Sequence, residues 1–302
     1  MTAGARDRWG WGPRKLHALL RRQGHAPPPI RTIAAILKRH DRVRTRSAEI
    51  PPACQRFERD APNELWQRDF KGPLEVARRK VTPLSVLDDH SRYLLALRPC
   101  FDMTFVTVQA VLWDLFGDVG LPETLLCDSA FSTAKNSRVG LTSFEAGLIR
   151  LGIRPAHGRP YHPQTQGKVE RFHGTLEAEL WPRIRRDTPE HFAADLDDWR
   201  PVYNSVRPHE ALGDQPPVCR WKPSDRKRPD RPPEASYPAG AVLRRVGHVG
   251  DVRYRSARIM VGRGLAGETV QVIEQDTQIE IHYGTQRIRC LSAGELRRDT
   301  ML

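Results

Sequence analysis

Two short stretches near the amino terminus repeat apolar residues at the spacing of an α-helix. The apolar positions that share a face are Leu16, Leu19 and Leu20 in the first stretch and Ile33, Ile36 and Leu37 in the second. Gly24 and three prolines at 27–29 lie between the two stretches and interrupt helical structure. The pattern therefore predicts two short helices joined by a turn. Such a pair fits half of a helix-turn-helix DNA-binding unit, or it packs on its own core as a plain helical hairpin.

From Asn63 onward the pattern becomes strand-like. Strands are predicted at 65–70, 80–88 and 92–98, with Asp89, His90 and Ser91 in the last turn. Short connections between consecutive strands favour an antiparallel meander. Farther along, helices are predicted at 105–116, 144–151, 165–180 and 189–203, with short strands at 124–127 and 152–155. Strands followed by alternating helices and strands predict an α/β fold with a mixed sheet and helices on its faces.

A stretch rich in proline and charge, residues 214–233, precedes a carboxyl-terminal run of short strands. Strands are predicted at 241–243, 252–254, 258–261, 269–273 and 278–283, with glycines at their turns. A small β-barrel of the size that often binds nucleic acid is the natural prediction. The predicted organisation is a partial helix-turn-helix segment at 1–46, a linker at 47–62, a core at 63–225, a linker at 226–236 and the barrel at 237–302.

Composition excludes several classes of protein. The chain has 302 residues and a formal net charge of +13. Its sequence holds no stretch near the roughly 18–20 uncharged apolar residues of a membrane span, and no apolar segment follows the charged amino terminus as in a secretory signal. A disulfide framework or a cysteine-based zinc site is not expected, because the cysteines are scattered. They are Cys54, Cys100, Cys127, Cys219 and Cys290. We expect reduced, structural thiols in a cytoplasmic protein.

The positive charge is concentrated at the two ends of the chain. Residues 1–60 carry 14 basic and 5 acidic residues. Residues 61–225 are close to neutral, and residues 226–302 are basic again. This distribution suggests a central domain that carries out chemistry between flanks that bind a polyanion. A globular protein with a basic tail is the alternative that charge alone leaves open.

Three carboxylates lie within or directly beside segments that are otherwise predicted to be buried. Asp69 interrupts the first predicted strand, where an unpaired buried carboxylate is costly. Asp128 follows strand 124–127 at its carboxyl end, and Glu170 lies at the edge of the apolar stripe of a helix. Together they would form an oxygen-rich cage for two Mg²⁺ or Mn²⁺ ions about 3.5–4 Å apart, suited to a phosphodiester. Each carboxylate also has a structural alternative. Asp69 would be a charge on an edge strand, Asp128 a turn residue or helix cap, and Glu170 part of a solvated helix face.

A series of motifs follows one order along the chain. They are Trp66-Gln67-Arg68-Asp69-Phe70, Leu87 to Tyr93, Leu126-Cys127-Asp128, Gly152-Ile153, Pro160 to His173, and Tyr203 to Gly213. In this order they resemble the integrase-core transposases of bacterial insertion sequences, which are relatives of retroviral integrase. The resemblance covers residues 63–225, and residues 11–45 look like the family's helix-turn-helix segment.

The resemblance implies a ribonuclease-H-like fold and an Asp-Asp-Glu catalytic triad that binds metal. Asp69, Asp128 and Glu170 match this triad, with 41 residues between the last two. The implied activity is nicking at the ends of the element, followed by attack of the freed 3′-hydroxyl on target DNA. The implied cofactor is Mg²⁺ or Mn²⁺, as two ions. The implied partners are DNA and further copies of the chain, in a dimer or tetramer that pairs two DNA ends.

Several polar side chains are candidates for contact with DNA. Lys168 and Arg171 lie three residues apart on the helix of Glu170, so that both reach phosphates beside it. The other candidates are His162 and Gln166 in the preceding loop and Arg14, Lys15, Arg31, Lys38 and Arg39 in the amino-terminal helices. Ordinary surface polarity is the alternative. Asn204 and the run from Arg207 to His209 either pack the connection to the core or contact DNA.

The sequence also departs from the family pattern. Ser129 and Ala130 follow Asp128 where the family has Asn-Gly, and the gap from Asp128 to Glu170 is several residues longer than usual. The chain also begins near the last helices of the expected DNA-binding region. A catalytically inactive DNA-binding remnant that regulates transposition is therefore an alternative to an active transposase. A metal-dependent nuclease without joining activity is a third interpretation.

Overall fold

The computed structural model describes residues 7–42, 58–127, 140–157, 167–255 and 257–292. The chain divides into two compact units, each assembled from distant parts of the sequence. The first unit contains residues 1–103 and 160–222, and the second contains residues 104–159 and 223–302. In the described part of the chain, no helix has the length and apolar character needed to cross a lipid bilayer.

An antiparallel sheet forms the centre of the first unit. Its strands are β1 (Leu65–Phe70), β2 (Leu74–Val76), β3 (Arg79–Asp88) and β4 (Leu94–Cys100). Strand β3 pairs antiparallel with β1, β2 and β4, so the predicted meander is confirmed. Strand β2 was not predicted, because three residues are too short to show an alternating pattern. The register places Asp69 of β1 directly opposite Ser85 of β3.

Two helices cover this sheet with their apolar faces. They are α5 (Gly167–Glu179) and α6 (Pro189–Pro201). Thr188 caps α6 by accepting a hydrogen bond from the His191 amide at 3.1 Å. The shared core contains Val169, Phe172 and Leu176 from α5, Phe192, Leu196 and Trp199 from α6, and Leu87, Leu94 and Leu97 from the sheet. Burial of each such side chain stabilises the unit by about 1.5–3 kcal/mol, and the predicted buried stripe of α5 is confirmed.

The amino-terminal helices are α1 (Pro13–Arg22) and α2 (Ile30–Arg39), and we call the pair the helical hairpin. The two predicted helices are thus confirmed. Leu16, Leu19, Ile33 and Leu37 are buried between them together with Trp11. Ile36, predicted on the buried face, is 41% exposed. The helix-turn-helix assignment itself stays a prediction.

A buried carboxylate attaches the helical hairpin to the rest of the first unit. Glu179, at the end of α5, is 4% exposed. It accepts hydrogen bonds from Trp11 Nε1 at 2.9 Å, Lys15 Nζ at 2.6 Å and Arg207 Nε at 3.0 Å. We call these four residues the Glu179 cluster. Because a buried carboxylate without partners is strongly unfavourable, the hairpin, α5 and the Arg207 segment are held together.

The run from Asn204 to His209 has a structural role in this unit. The Asn204 side chain accepts a hydrogen bond from the Leu94 amide at 2.8 Å and donates one to the Leu94 carbonyl at 3.0 Å. Asn204 lies in a π-helical turn, Val202–Val206, that follows Pro201. The side chain therefore extends the hydrogen-bonding ladder at the start of β4. Of the two interpretations of this motif, these contacts support the packing one.

The second unit contains both parallel and antiparallel pairing. Its elements before residue 160 are α3 (Phe105–Val119), β5 (Thr124–Cys127), α4 (Ser143–Arg150) and β6 (Arg154–His157), with β5 and β6 parallel. A capping box between Thr142 and Glu145 begins α4. With the antiparallel strands of the first unit, this pairing confirms a mixed α/β architecture with flanking helices.

The carboxyl-terminal strands form two antiparallel sheets. Strands β7 (Leu243–Arg245), β10 (Thr269–Gln275), β11 (Gln278–Tyr283) and β12 (Gln286–Ser292) form one, and β8 (Asp251–Tyr254) and β9 (Ala257–Met260) form the other. Their core includes Ala146 and Ile149 of α4. Gly140 and Gly262 pass so closely that a Cβ on Gly140 would lie 2.2 Å from the Gly262 Cα. The predicted strands that correspond to β8 to β11 are confirmed, whereas predicted strand 241–243 shares only Leu243 with β7, and β12 was not predicted. A closed barrel stays a prediction.

The Glu179 cluster makes a prediction about stability. Glu179→Gln leaves Lys15 and Arg207 without their carboxylate, so we expect the free energy of unfolding to fall by about 3 kcal/mol. The control is Glu177→Gln on the same helix, where the side chain is 52% exposed and pairs with Lys71. That loss should be below about 1 kcal/mol. Urea denaturation of both variants measures the difference, and equal losses would contradict the assigned role of Glu179.

Candidate active site

Asp69 lies near the end of β1 and its carboxylate is held from one side. The Phe70 amide donates a hydrogen bond to Asp69 Oδ1 at 2.9 Å. The Asp69 carbonyl accepts a hydrogen bond from Ser85 Oγ at 3.0 Å. The Asp69 side chain is 24% exposed. The backbone of two paired strands therefore sets the direction of a carboxylate that solvent still reaches.

Glu170 lies in the first turn of α5, and α5 packs against β1. Its neighbour Val169 and the next-turn residue Phe172 are buried, whereas Glu170 is exposed. The partial positive charge at a helix amino terminus favours a carboxylate at this position. Packing of the apolar stripe thus fixes the helix while Glu170 stays accessible.

His173 lies one turn after Glu170 and faces Asp69. Its Nδ1 is 3.6 Å from Asp69 Oδ2, and its Nε2 is 2.9 Å from Ser85 Oγ. Burial of the ring, reinforced by the charge of Lys71, lowers the pKa of His173 to about 4. The imidazole is therefore neutral at pH 7. Sequence reasoning missed His173 and Ser85 as site residues, although the spacing of three between Glu170 and His173 on a helix is the signal that points to the same side.

Two adjacent aspartates at the end of β3, Asp88 and Asp89, are buried and hydrogen-bonded within the first unit. Asp88 accepts hydrogen bonds from the Ser91 amide at 2.7 Å and the Asn63 amide at 2.8 Å. Burial nevertheless raises the pKa of Asp88 above its usual range. Asp89 is 1% exposed and accepts a hydrogen bond from Gln67 Nε2 at 2.7 Å. These acids hold the turn between β3 and β4, which was predicted at Asp89 to Ser91.

Lys168 forms an ion pair with the buried Asp89. Its ammonium lies 2.5 Å from Asp89 Oδ2, and its side chain is 11% exposed. Burial lowers the pKa of Lys168, an effect that Asp89 opposes. Lys168 thus fastens the first turn of α5 to the β3–β4 turn. Arg171, three residues later, is exposed.

The other predicted DNA-contacting residues fall into three groups. Arg31, Lys38 and Arg39 lie on α2 and are exposed. Arg14 is also exposed but pairs with Glu210 at 2.7 Å and Asp214 at 3.2 Å, and Lys15 belongs to the Glu179 cluster. The remaining residues, His162 and Gln166, lie outside the described residues, as does Asp128.

A cleft of about 900 Å³ lies within the first unit between the helical hairpin and α5. Among the described residues, seven basic and three acidic side chains line it. The basic ones are Arg14, Lys15, Arg42, Arg92, Lys168, Arg171 and Arg207, and the acidic ones are Glu179, Glu210 and Asp214. All of the basic side chains except Arg171 pair with carboxylates in the described residues, so the net positive charge of the cleft is small.

The donor atoms at the site suit a hard divalent cation. Asp69 and Glu170 supply carboxylate oxygens, which Mg²⁺ and Mn²⁺ prefer. In the described ranges no group of three or more acidic, histidine or cysteine side chains lies close enough together to hold a metal ion. The third predicted carboxylate, Asp128, is outside those ranges. The site described is therefore part of the predicted carboxylate set.

Comparison with known families identifies the central region. Two family models, each described as an integrase core domain, match residues 59–163 and residues 151–217. These matches include Asp69, Asp128 and Glu170. They also cover most of the 63–225 region in which the sequence motifs lie.

Relatives occur in bacteria and in retroviruses. The chain is 26% identical to the 31.7 kDa protein of insertion element IS407 from Burkholderia multivorans, over 69% of the chain and 74% of that protein. It is 24% identical to the 39.2 kDa protein of insertion element IS476 from Xanthomonas euvesicatoria, over 69% of the chain and 59% of that protein. It is 33% identical to the Gag-Pro-Pol polyprotein of sheep pulmonary adenomatosis virus, over 39% of the chain.

The match spans only 6% of that viral polyprotein, so the likeness concerns one domain of it. The insertion-element proteins share a longer region with the chain. The two integrase core models together match residues 59–217, which is more than half of the chain, so the chain belongs to the integrase core family and is similar to proteins of bacterial insertion elements.

Proposed function

We propose that the chain is an Asp-Asp-Glu transposase. It nicks the ends of its insertion sequence and joins the freed 3′-hydroxyls to target DNA. The observation that carries the proposal is the placement of Asp69 and Glu170 on β1 and α5, two elements that pack against each other inside an integrase core. Asp128 is the proposed third carboxylate.

In this proposal Asp69, Asp128 and Glu170 hold the divalent cations, Mg²⁺ or Mn²⁺, as two ions. When bound, such ions activate an attacking oxygen and stabilise a leaving oxygen at phosphorus. The chain's own contribution is geometry. The Phe70 amide and Ser85 fix Asp69, and the buried stripe of α5 together with the Lys168–Asp89 ion pair fixes Glu170. Catalytic groups that are already held in the reactive geometry before the substrate binds are a main source of rate enhancement.

DNA binding in the proposal starts from the exposed cations. Arg171 is adjacent to Glu170 in sequence, so it would contact a phosphate beside the reacting one. Arg31, Lys38 and Arg39 on α2 would bind the backbone of the element end. Arg14, Lys15 and Lys168 are bonded to carboxylates and would have to exchange them for phosphates. His162 and Gln166 stay predicted DNA contacts.

The reaction couples two ends of one element, so the active species would be a dimer or tetramer of the chain on DNA. A protein with this substrate would work on the bacterial nucleoid in the cytoplasm. Each copy would bring one carboxylate set to one DNA end. The joining of both ends then requires two active copies.

One prediction of the proposed function concerns catalysis by Glu170. Glu170→Gln removes the negative charge that holds the cation, so we expect strand joining to fall at least about 100-fold. The assay is a gel measurement of joining between a 3′-cut terminal sequence and plasmid DNA in Mn²⁺. The control is Glu190→Gln, an exposed glutamate on α6, which should join like the unmodified protein.

Two other outcomes of this assay have clear meanings. Unmodified protein that binds the ends but neither nicks nor joins them supports the inactive DNA-binding remnant. Nicking that depends on Glu170, without any joined product, supports a nuclease. Either result contradicts the proposed transposase.

Another prediction of the proposed function concerns the helical hairpin. Lys38→Ala combined with Arg39→Ala removes two exposed charges from α2. If each contacts a phosphate, the slope of log affinity against log salt becomes shallower by about 2, since each contact contributes about 0.9. Fluorescence anisotropy at several salt concentrations measures the slope.

The matched control for charge is Arg98→Ala combined with Arg185→Ala, which removes two cations that pair with Asp197 and Asp195 on the surface. This control should leave the slope unchanged. Equal slopes for both double variants would show that the net charge, and not the hairpin, governs binding.

A further inference from the structure

The β2–β3 hairpin ends in an exposed and basic turn. Ala77 and Arg78 form the two-residue loop between the strands, and Arg79 and Lys80 begin β3. All four residues are exposed, and three of them in succession are cations. We call residues 77–80 the basic β-turn. The catalytic site and the helical hairpin do not account for these cations.

The backbone of the basic β-turn is strained for the side chains that it carries. Ala77 and Arg78 have φ angles of 47° and 63°, in the left-handed region that is unfavourable for a residue with a Cβ atom. Two-residue loops of this kind usually contain asparagine, aspartate or glycine, which tolerate such angles. The stability of the turn alone would therefore favour glycine over arginine at Arg78. Strained residues concentrate at functional sites, and the group presented to solvent here is a cation.

Two contacts hold the basic β-turn against neighbouring segments of the first unit. The Ala77 amide donates a hydrogen bond at 2.9 Å to the carbonyl of Arg186, in the connection between α5 and α6. The Arg79 guanidinium lies 4.2 Å from the centre of the Phe101 ring in a cation–π contact. A ligand that binds these cations therefore meets a turn that is already fixed, and less conformational entropy is lost on binding.

The cations of this surface are available to an external anion. Arg186 is exposed beside the turn and adds a fourth positive charge. In the part of the chain that the structure describes, neither Arg186 nor the cations of residues 78–80 form an ion pair with a carboxylate. The preceding residue, Arg185, shows the contrast, because it pairs with Asp195 at 2.6 Å.

Acidic side chains near the turn offset this charge only in part. Glu75 lies opposite Lys80 in the strand register, and Asp102 follows the end of β4. A third acid, Asp187, already pairs with His191 at 2.7 Å. The cations therefore outnumber the acids that can neutralise them. Positive charge spread over several side chains suits a polyanion.

We propose that the basic β-turn binds the phosphate backbone of duplex DNA at a distance from the catalytic centre. This inference rests on the proposed function, because it takes Asp69 as the site where a phosphodiester reacts. Arg79 lies six residues before Ser85, which is the register partner of Asp69. At about 3.4 Å per residue, the separation along β3 is about 20 Å, which is the length of about 6 base pairs. A single duplex is therefore long enough to contact both places.

Two glycine variants separate the charge of the turn from its shape. In Arg78→Gly the relief of strain offsets the added flexibility of the unfolded chain, so the midpoint of urea denaturation should not fall. The slope of log affinity for duplex DNA against log salt should become shallower by about 0.9, the contribution of one phosphate contact. The control Ala77→Gly relaxes the same turn but keeps every cation, so it should leave the slope unchanged. Fluorescence anisotropy of the full chain at several salt concentrations gives the slopes.

A double variant of the turn should give a larger effect. Arg79→Ala combined with Lys80→Ala removes two cations, so the slope should become shallower by about 2. The control is Arg98→Ala combined with Arg185→Ala, because both of these cations pair with aspartates, and it should leave the slope unchanged. An equal change in both double variants would show that net charge alone governs binding and would overturn the contact.

Neutral methylphosphonates show which DNA the turn binds, because element-end and target duplexes present the same phosphates. Each methylphosphonate replaces one charged phosphate at a chosen position. At about 6 base pairs from the reacting phosphodiester, it should weaken binding or joining by the unmodified protein and should not affect the double variant of Arg79 and Lys80. An effect confined to the element-end duplex assigns the turn to that DNA, and an effect confined to the target duplex assigns it to the target.

The outcomes separate the failure of this inference from the failure of the proposed function. Slopes that Arg78→Gly and the double variant leave unchanged, in a protein whose joining requires Glu170, overturn the DNA contact alone. An acidic protein segment would then be the alternative partner of the turn. A slope that depends on the turn, in a protein that neither nicks nor joins, supports the contact and overturns the proposed transposase.

Discussion

The position of α5 relative to the sheet depends on buried charges that must keep their partners. The Lys168–Asp89 ion pair holds the first turn of the helix, and the Glu179 cluster holds its last turn. Apolar packing between these points tolerates small rotations, whereas a buried charge that loses its partner costs several kcal/mol. The two charged contacts therefore fix the rotation and height of α5. Glu170 lies between the two contacts on the same helix, so both contacts determine its position.

Four acidic residues of the first unit illustrate two different physical roles. Asp89 and Glu179 are buried and form ion pairs with Lys168 and Arg207, so they hold α5 in place. The Asp69 side chain is 24% exposed and the Phe70 amide orients its carboxylate, and Glu170 is exposed. Carboxylates that solvent reaches are the ones that a cation can approach. The same helix carries one acid of each kind, nine positions apart, which links stability to the geometry of the site.

The sequence alone predicted most of the helices and strands but not the roles of individual polar residues. Alternation and helical spacing predicted β1, β5 and β11 with the bounds that the structure has, because their apolar positions are regular. They did not predict β2 or β12. Ile36 is exposed because the buried face of α2 is narrower than predicted and contains Ile33 and Leu37. Lys168 was predicted to contact DNA, yet its ammonium is bonded to Asp89, which lies 79 residues earlier in the chain. Such pairings depend on the register of distant strands, and local patterns carry no information about them.

An anomalous-scattering map of crystals grown with Mn²⁺ tests the central claim most directly, because it locates the cation without an assay of activity. The account predicts an anomalous peak within bonding distance of a carboxylate oxygen of Asp69, with Glu170 on the opposite side of the ion. A fully occupied Mn²⁺ site elsewhere on the chain, with no density between β1 and α5, would contradict it. That result would leave the integrase fold in place and remove the basis for assigning these two carboxylates to catalysis.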